Sequence, residues 1–247
     1  MVPDSVTSWW TTPEGLVVTV DAATRTAATD RFISAMGASR VIEEPRLIAA
    51  TDVKGGDGWH NGTARCSVAF SVTGAGGRRA FITAGHCTPT AGATARSTTT
   101  LTTMGSVSGG GHFDKRGDYG KVDVTSAEFV LTPLVNGYGK GDVTIRGARE
   151  AAVGTSVCKS GSTTKITCGQ ITAKNVTVNY GNGVIVEGLT RATACTNPGD
   201  SGGAVYAGDQ AQGIVSGGTA SCANGSVLMF QPVAEVLGAF GVSLVRG

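Results

Sequence analysis

The residues with the richest chemical context lie in "NPGDSGG" (Asn197 to Gly203), where one serine, Ser201, is set between Gly199-Asp200 and Gly202-Gly203. A hydroxyl becomes a useful nucleophile when a base takes its proton and fixed donors receive the charge that develops on the attacked carbonyl. The glycines suit the second need, because backbone N–H groups converge on one oxyanion only if the chain turns sharply and no side chain intrudes. For the base the chain offers His60, His86 and His112. His86, in "AFITAGHC", ends a strand-like run at a small-residue turn beside Cys87, and is the candidate; His60 and His112 lack such a context. A carboxylate must then hold the imidazole tautomer and stabilise the imidazolium. Asp118, in "KRGDYGKVDV", is preferred because Gly117 and Gly120 surround it ahead of an apolar-alternating segment, with Asp114 and Asp123 as alternatives.

Gly199 to Gly203 also satisfies the G-x-S-x-G pattern of the α/β-hydrolase elbow, so the pattern alone does not select a fold. Chain order does. An α/β hydrolase needs its histidine after the serine, whereas all three histidines here precede Ser201. The order His, Asp, Ser is instead that of chymotrypsin-type triads.

These groups must be positioned by a chain of 247 residues, 40% hydrophobic and 15% charged, with 38 glycines. Such a composition supports a sizeable core and favours strands and turns over helices. A net charge of +2, with scattered basic residues, excludes an electrostatic nucleic-acid or membrane surface. No apolar run approaches the roughly 20 residues of a membrane helix, so a soluble protein is expected. Cys66, Cys87, Cys158, Cys168, Cys195 and Cys222 lack the close spacing of metal or redox motifs. Of the possible connectivities, joining sequence neighbours closes three local loops without threading, which implies an oxidising, extracellular compartment and no metal site. "MVPDSVTSWW" has neither the basic start nor the apolar centre of a signal peptide, so either a longer precursor precedes it or Met1 was added. The sequons at Asn61 and Asn175 matter only in a glycosylating pathway.

Residues 1–51 contain no cysteine and carry a net −2, against +4 for residues 52–247, which marks a boundary. In the first region "GLVVTV" and "RVIEEP" read as strands, and "ATDRFISAMG" as a helix with Phe32, Ile33 and Met36 on one face, ending at a glycine. Beyond it, short strand signals follow one another, among them "RCSVAFSV", "AFITA", "SVCKSG", "GAVYAG" and "QGIVSGG". Tyr180-Gly181-Asn182-Gly183 between β-branched runs predicts a hairpin, and "PVAEVLGAFGV" a terminal helix begun by Pro232.

With "TAGHC", "DYG", "NPGDSGG" and "GIVSGG" the chain resembles the chymotrypsin superfamily, most closely its bacterial streptogrisin and α-lytic protease branch, over about Asp52 to Gly247. The resemblance implies a mostly β fold of two six-stranded antiparallel barrels with a C-terminal helix and an active site in the cleft between the barrels. It makes His86 the general base, Asp118 its orienting partner, Ser201 the nucleophile, Gly199 and Ser201 the oxyanion donors, and Asp200 structural. Ser216, Gly217 and Gly218 resemble the strand that pairs with substrate backbone, the Ser216 hydroxyl being expected to bond Asp118. Ala194, Val215 and Leu228 are expected in the walls of the primary pocket. No acidic residue sits there, and Val215 replaces the histidine of Glu-specific relatives, so an apolar side chain is expected. Residues 1–51 resemble the C-terminal part of a pro-region, a small α+β unit that docks near the Asn182 hairpin and is cleaved off near Thr51 and Asp52. The implied protein is a secreted, monomeric serine endopeptidase in proenzyme form, without cofactor, whose partners are peptide substrates and its own pro-region. A catalytically silent binding module and an esterase or acyl transferase are the alternatives.

Overall fold

The computed structural model describes residues 1–247 except 48, 220, 221, 223 and 224. The chain divides into two compact units, Met1–Ala49 and Ala50–Gly247. In the first, β1 (Val6–Thr12) and β2 (Gly15–Val20) pair antiparallel, and the helix α1 (Ala27–Met36) returns the chain to β3 (Arg40–Glu43), parallel to β2. Thr26 and Thr29 cap the helix reciprocally, each hydroxyl accepting the other's backbone N–H. Ile33 from α1 packs with Val6, Val18 and Val20 of the sheet, while Phe32 and Met36 are half-buried.

The second unit opens with β4 (Thr51–Gly55), parallel to β13 (Phe129–Val135); the Thr51 N–H already donates to the Glu128 carbonyl at 2.7 Å. Between these strands run β5 (Gly58–His60), β6 (Arg65–Ser67), β7 (Phe70–Thr73), β8 (Arg79–Thr83), β9 (Thr94–Ser97), β10 (Thr103–Val107), β11 (His112–Asp114) and β12 (Gly117–Val124). With β21 (Ser243–Leu244) they make a nine-stranded sheet, and β14 (Val143–Thr144) joins β13 and β4 in a three-stranded one. The first barrel-like half is therefore split between two sheets. The second half is a closed six-stranded barrel of β15 (Ser156–Gly161), β16 (Lys165–Gly181), β17 (Val184–Ala192), β18 (Ala204–Ala207), β19 (Gln210–Gly218) and β20 (Leu228–Pro232). Closure leaves it no free edge. Asn182 and Gly183, both at positive φ, turn β16 into β17 as a two-residue hairpin. The helix α2 (Val233–Phe240) starts after Pro232 and buries Val233 and Val236. Among the described residues no helix is long and apolar enough to cross a membrane. The cysteines pair as sequence neighbours: Cys66–Cys87, Cys158–Cys168 and Cys195–Cys222.

A fully buried ion pair fastens the loop after Cys195 to this barrel. Lys159 Nζ on β15 lies 3.0 Å from Asp200 Oδ2, and water reaches neither side chain. The carboxylate also accepts from the N–H groups of Thr163, Thr164 and Asn197 and from the Thr164 hydroxyl. Burial alone pushes the Asp200 carboxyl up, but the Thr164 hydroxyl, the Lys159 charge and these amides outweigh it and hold it below the usual range. Removing one partner strands the other charge in the interior. Lys159→Met is expected to cost about 3–5 kcal/mol in urea unfolding at neutral pH; a loss under about 1 kcal/mol, the size of an exposed pair, would show that this pair does not hold the loop.

Candidate active site

Strand β8 ends at Thr83, and the tight turn that follows presents His86 with Cys87 directly behind it. The Cys66–Cys87 disulfide ties this turn to β6, with both sulfurs and a ring nitrogen of His86 within 4.8 Å of one another. Because the sulfurs are joined to each other, this cluster is an anchor and not a set of thiolate ligands. Asp118 enters from β12, fully buried. Its Oδ2 lies 2.9 Å from His86 Nδ1, and its Oδ1 accepts the His86 backbone N–H at 3.1 Å. Ser216, on β19, donates its hydroxyl to the same Oδ2 at 2.6 Å. Asp118 is thus the carboxylate bonded to His86. Asp114 is held by Arg116, which keeps its carboxyl well below the usual range, and Asp123 pairs with Lys121. Burial lowers the His86 pKa, but the charge of Asp118 and the bond to it prevail and raise it above the ordinary 6.5.

Ser201 stands on the loop between Cys195 and β18. Its carbonyl accepts the Ser67 N–H at 2.8 Å and lies 3.9 Å from Cys87 Sγ, which brings the residue alongside the histidine turn. Among the described residues the Ser201 hydroxyl makes no hydrogen bond to His86; nucleophile–base contacts of this kind tighten in the substrate complex. In the same loop the N–H groups of Asp200, Gly202 and Gly203 bond to backbone carbonyls, whereas those of Gly199 and Ser201 have no backbone partner among the described residues. Gly199 sits at φ +96°, and a Cβ there would lie 2.4 Å from Thr163 Oγ1 and 2.7 Å from Arg65 Nη2. Both the conformation and the space demand glycine. The Pro198 carbonyl, in the same peptide unit as the Gly199 N–H, accepts the Thr163 hydroxyl at 2.8 Å, and the Gly199 carbonyl accepts from the hydroxyls of Ser67 and Ser162.

A cavity of about 220 Å³ opens beside Ser201, lined by Thr196, Asn197, Pro198, Gly217 and Gly218. Gly217 and Gly218, at the end of β19, form part of its wall. Ala194, Val215 and Leu228 do not line it: they are fully buried in the barrel core, and Leu228 pairs with Gly218 from the neighbouring strand. Thr196, Asn197 and Pro198, absent from the sequence expectation, take their place. Two further residues escaped it. The Tyr180 hydroxyl bonds Ser216 Oγ at 2.8 Å, and the Phe113 ring lies 5.1 Å from the His86 ring and 5.5 Å from that of Tyr180. Burial pushes the Tyr180 phenol up to about 12, so it stays protonated.

Comparison with known proteins places this geometry. The family model described as Trypsin matches residues 53–239. Streptogrisin-C of Streptomyces griseus is 42% identical over 255 residues, covering 98% of this chain and 53% of its own, so the chain spans about half the length of that relative. The crystal structure of Thermobifida fusca Protease A is 45% identical with a TM-score of 0.72, over 80% of this chain and 100% of its own. A glutamic-acid-specific serine protease described as using a histidine triad in substrate binding is 41% identical with a TM-score of 0.71, over 78% and 100%. The second unit has the chymotrypsin-like fold of these bacterial proteases, and the chain belongs to the trypsin family.

Proposed function

We propose that the chain is a secreted serine endopeptidase in proenzyme form that hydrolyses peptide bonds through Ser201, His86 and Asp118. The observation that carries the reading is the buried Asp118 carboxylate, bonded at once to His86 Nδ1, to the His86 N–H and to Ser216. With Nδ1–H directed at Asp118, the other ring nitrogen, Nε2, is left as the proton acceptor. His86 takes the Ser201 proton as the oxygen attacks the substrate carbonyl, and the N–H groups of Gly199 and Ser201 receive the oxyanion. The same imidazolium protonates the leaving amine, and water, deprotonated in turn by His86, releases the acyl group. Three disulfides and the likeness to the streptogrisins support an extracellular site.

The primary pocket presents no charged side chain among its lining residues, so a charged substrate residue would lose its water without gaining a partner. The glutamic-acid-specific relative is described as binding through a histidine triad. Here the three histidines are His60, His86 and His112, and none lines the cavity. Cleavage after apolar residues follows. In the proenzyme reading the first unit is the pro-region, and the cut falls in the exposed stretch around Pro45, Arg46, Leu47, Ala49 and Ala50 or at Thr51 and Asp52, where β4 begins.

Ser201→Ala is expected to abolish digestion of casein, labelling by a serine-directed phosphonate and self-processing, while N-terminal sequencing of the parent finds a new terminus between residues 45 and 53. A parent that is active yet permanently full length would overturn the pro-region assignment. Since His86 must be neutral to accept a proton and its pKa is raised, kcat/KM should climb through a midpoint above pH 6.5. Asp118→Asn should lower kcat by about 10⁴-fold and move that midpoint down; an unshifted acid limb would dissociate Asp118 from the base. A peptide library should return apolar residues before the scissile bond, and a strong Glu or Arg preference would refute the pocket assignment.

A further inference from the structure

Asp118 is held from the second barrel by two routes. One is the Ser216 hydroxyl on its carboxylate; the other reaches its backbone. The Asp118 N–H donates to Gln231 Oε1 at 2.9 Å, and the far end of the same amide, Gln231 Nε2, donates to Glu235 Oε2 at 2.6 Å. Gln231 lies at the end of β20, opposite Ile214 on the strand that bears Ser216, and is 1% exposed; Glu235 is one turn on, in the first turn of α2, and is exposed. The polarity of the chain is forced. An amide turned the other way would set its NH₂ against the Asp118 N–H and its oxygen against the Glu235 carboxylate, losing both bonds. A charged acceptor at the outer end makes that orientation the strong one. The approach is also built into β12: Gly117 sits at φ +129°, and a Cβ there would stand 2.5 Å from Gln231 Oε1.

We propose that Gln231 and Glu235 are positioning residues for the reaction: Glu235 orients the buried Gln231 amide, and the amide sets the place of Asp118 and hence of His86. None of these three groups but Asp118 touches the imidazole, so the effect passes through the geometry of the His86–Asp118 bond. It is seen in turnover and not in substrate binding, because neither Gln231 nor Glu235 lines the cavity beside Ser201. The inference rests on the triad assignment made above.

The test uses the processed enzyme, with active sites titrated by a serine-directed phosphonate and kinetics followed on a peptide anilide with an apolar residue before the scissile bond. Glu235→Ala is expected to lower kcat by about tenfold with KM unchanged, since small displacements of a catalytic group cost rate steeply. Glu235→Gln, which keeps an acceptor oxygen for Gln231 Nε2, should restore most of that loss. In parallel, the downfield proton resonance of His86 Nδ1–H should shift in Glu235→Ala and return in Glu235→Gln. Gln231→Leu should lose about 100-fold in kcat; if it does not fold, the exposed Glu235 variants decide alone. Parental kcat and an unmoved resonance in Glu235→Ala would overturn the relay, as would a loss that Glu235→Gln fails to restore or one confined to KM. A parent that cannot cleave the anilide at all would overturn the triad assignment and the relay with it, whereas an active parent with indifferent variants removes the relay only.

Discussion

The arrangement depends on a carboxylate kept from water. An ionised Asp118 in the interior would cost several kcal/mol if left alone, and the fold offsets this by bringing donors to it from separate parts of the chain. His86 supplies a ring nitrogen and a backbone N–H from the turn after β8, and Ser216 supplies a hydroxyl from β19. Each donor is thereby fixed as firmly as the carboxylate it satisfies. The imidazole has its tautomer set, and the strand carrying Ser216 is drawn against the first barrel, so Gly217 and Gly218 come to stand beside Ser201.

The loop bearing Ser201 solves a related problem with different materials. In the proposed mechanism it must leave two N–H groups open while staying rigid enough to aim them. Several neighbouring groups are instead committed: the Asp200 carboxylate to Lys159, Thr163, Thr164 and Asn197, the Gly199 carbonyl to two serine hydroxyls, and the Ser201 carbonyl to the Ser67 N–H. The last of these bonds cross between the halves of the second unit, since Ser67 belongs to β6 of the first sheet and also receives, on its own hydroxyl, the Ser162 N–H from the second barrel. Preorganised donors are effective in catalysis because no reorganisation remains to be done when charge develops. The buried ion pair contributes to that rigidity even where its net effect on stability is small.

What could be read from sequence alone was what local chemistry dictates. "TAGHC" and "GDSGG" carry their constraints within a few residues, so the tight turn that bears His86 and the Gly199 turn beside Ser201 are legible, as are the hairpin at Asn182-Gly183 and the helix ends at Gly37 and Pro232. The strand β1 was not, because its residues Thr7, Ser8, Trp9 and Trp10 do not alternate between apolar and polar and both tryptophans are largely exposed. The lining of the cavity beside Ser201 is legible only in part: Ala194, Val215 and Leu228 have the apolar character of a wall, yet they are buried in the barrel core, and Thr196, Asn197 and Pro198 line the cavity. Tyr180 and Gln231 show the same limit. Their partners, Ser216 and Asp118, lie 36 and 113 positions away, and no periodicity or spacing marks a contact of that range.

Those long-range contacts are also why the chemistry is divided as it is. His86 and Asp118 come from the first sheet, while Ser201, Gly199 and the cavity beside them come from the second barrel, so the groups of the proposed triad are only as well placed as the seam between the two halves. At that seam the bonds run in both directions: Ser216 and Gln231 reach across to Asp118, and Ser67 reaches back to Ser201 and Gly199. A displacement of either half would break several buried polar contacts together, each leaving a donor or acceptor without water to replace it. The cost of sliding is therefore cooperative, and the placing of the Ser201 loop beside the His86 turn, on which the proposed mechanism relies, is held by the same polar groups that the folded interior has to satisfy.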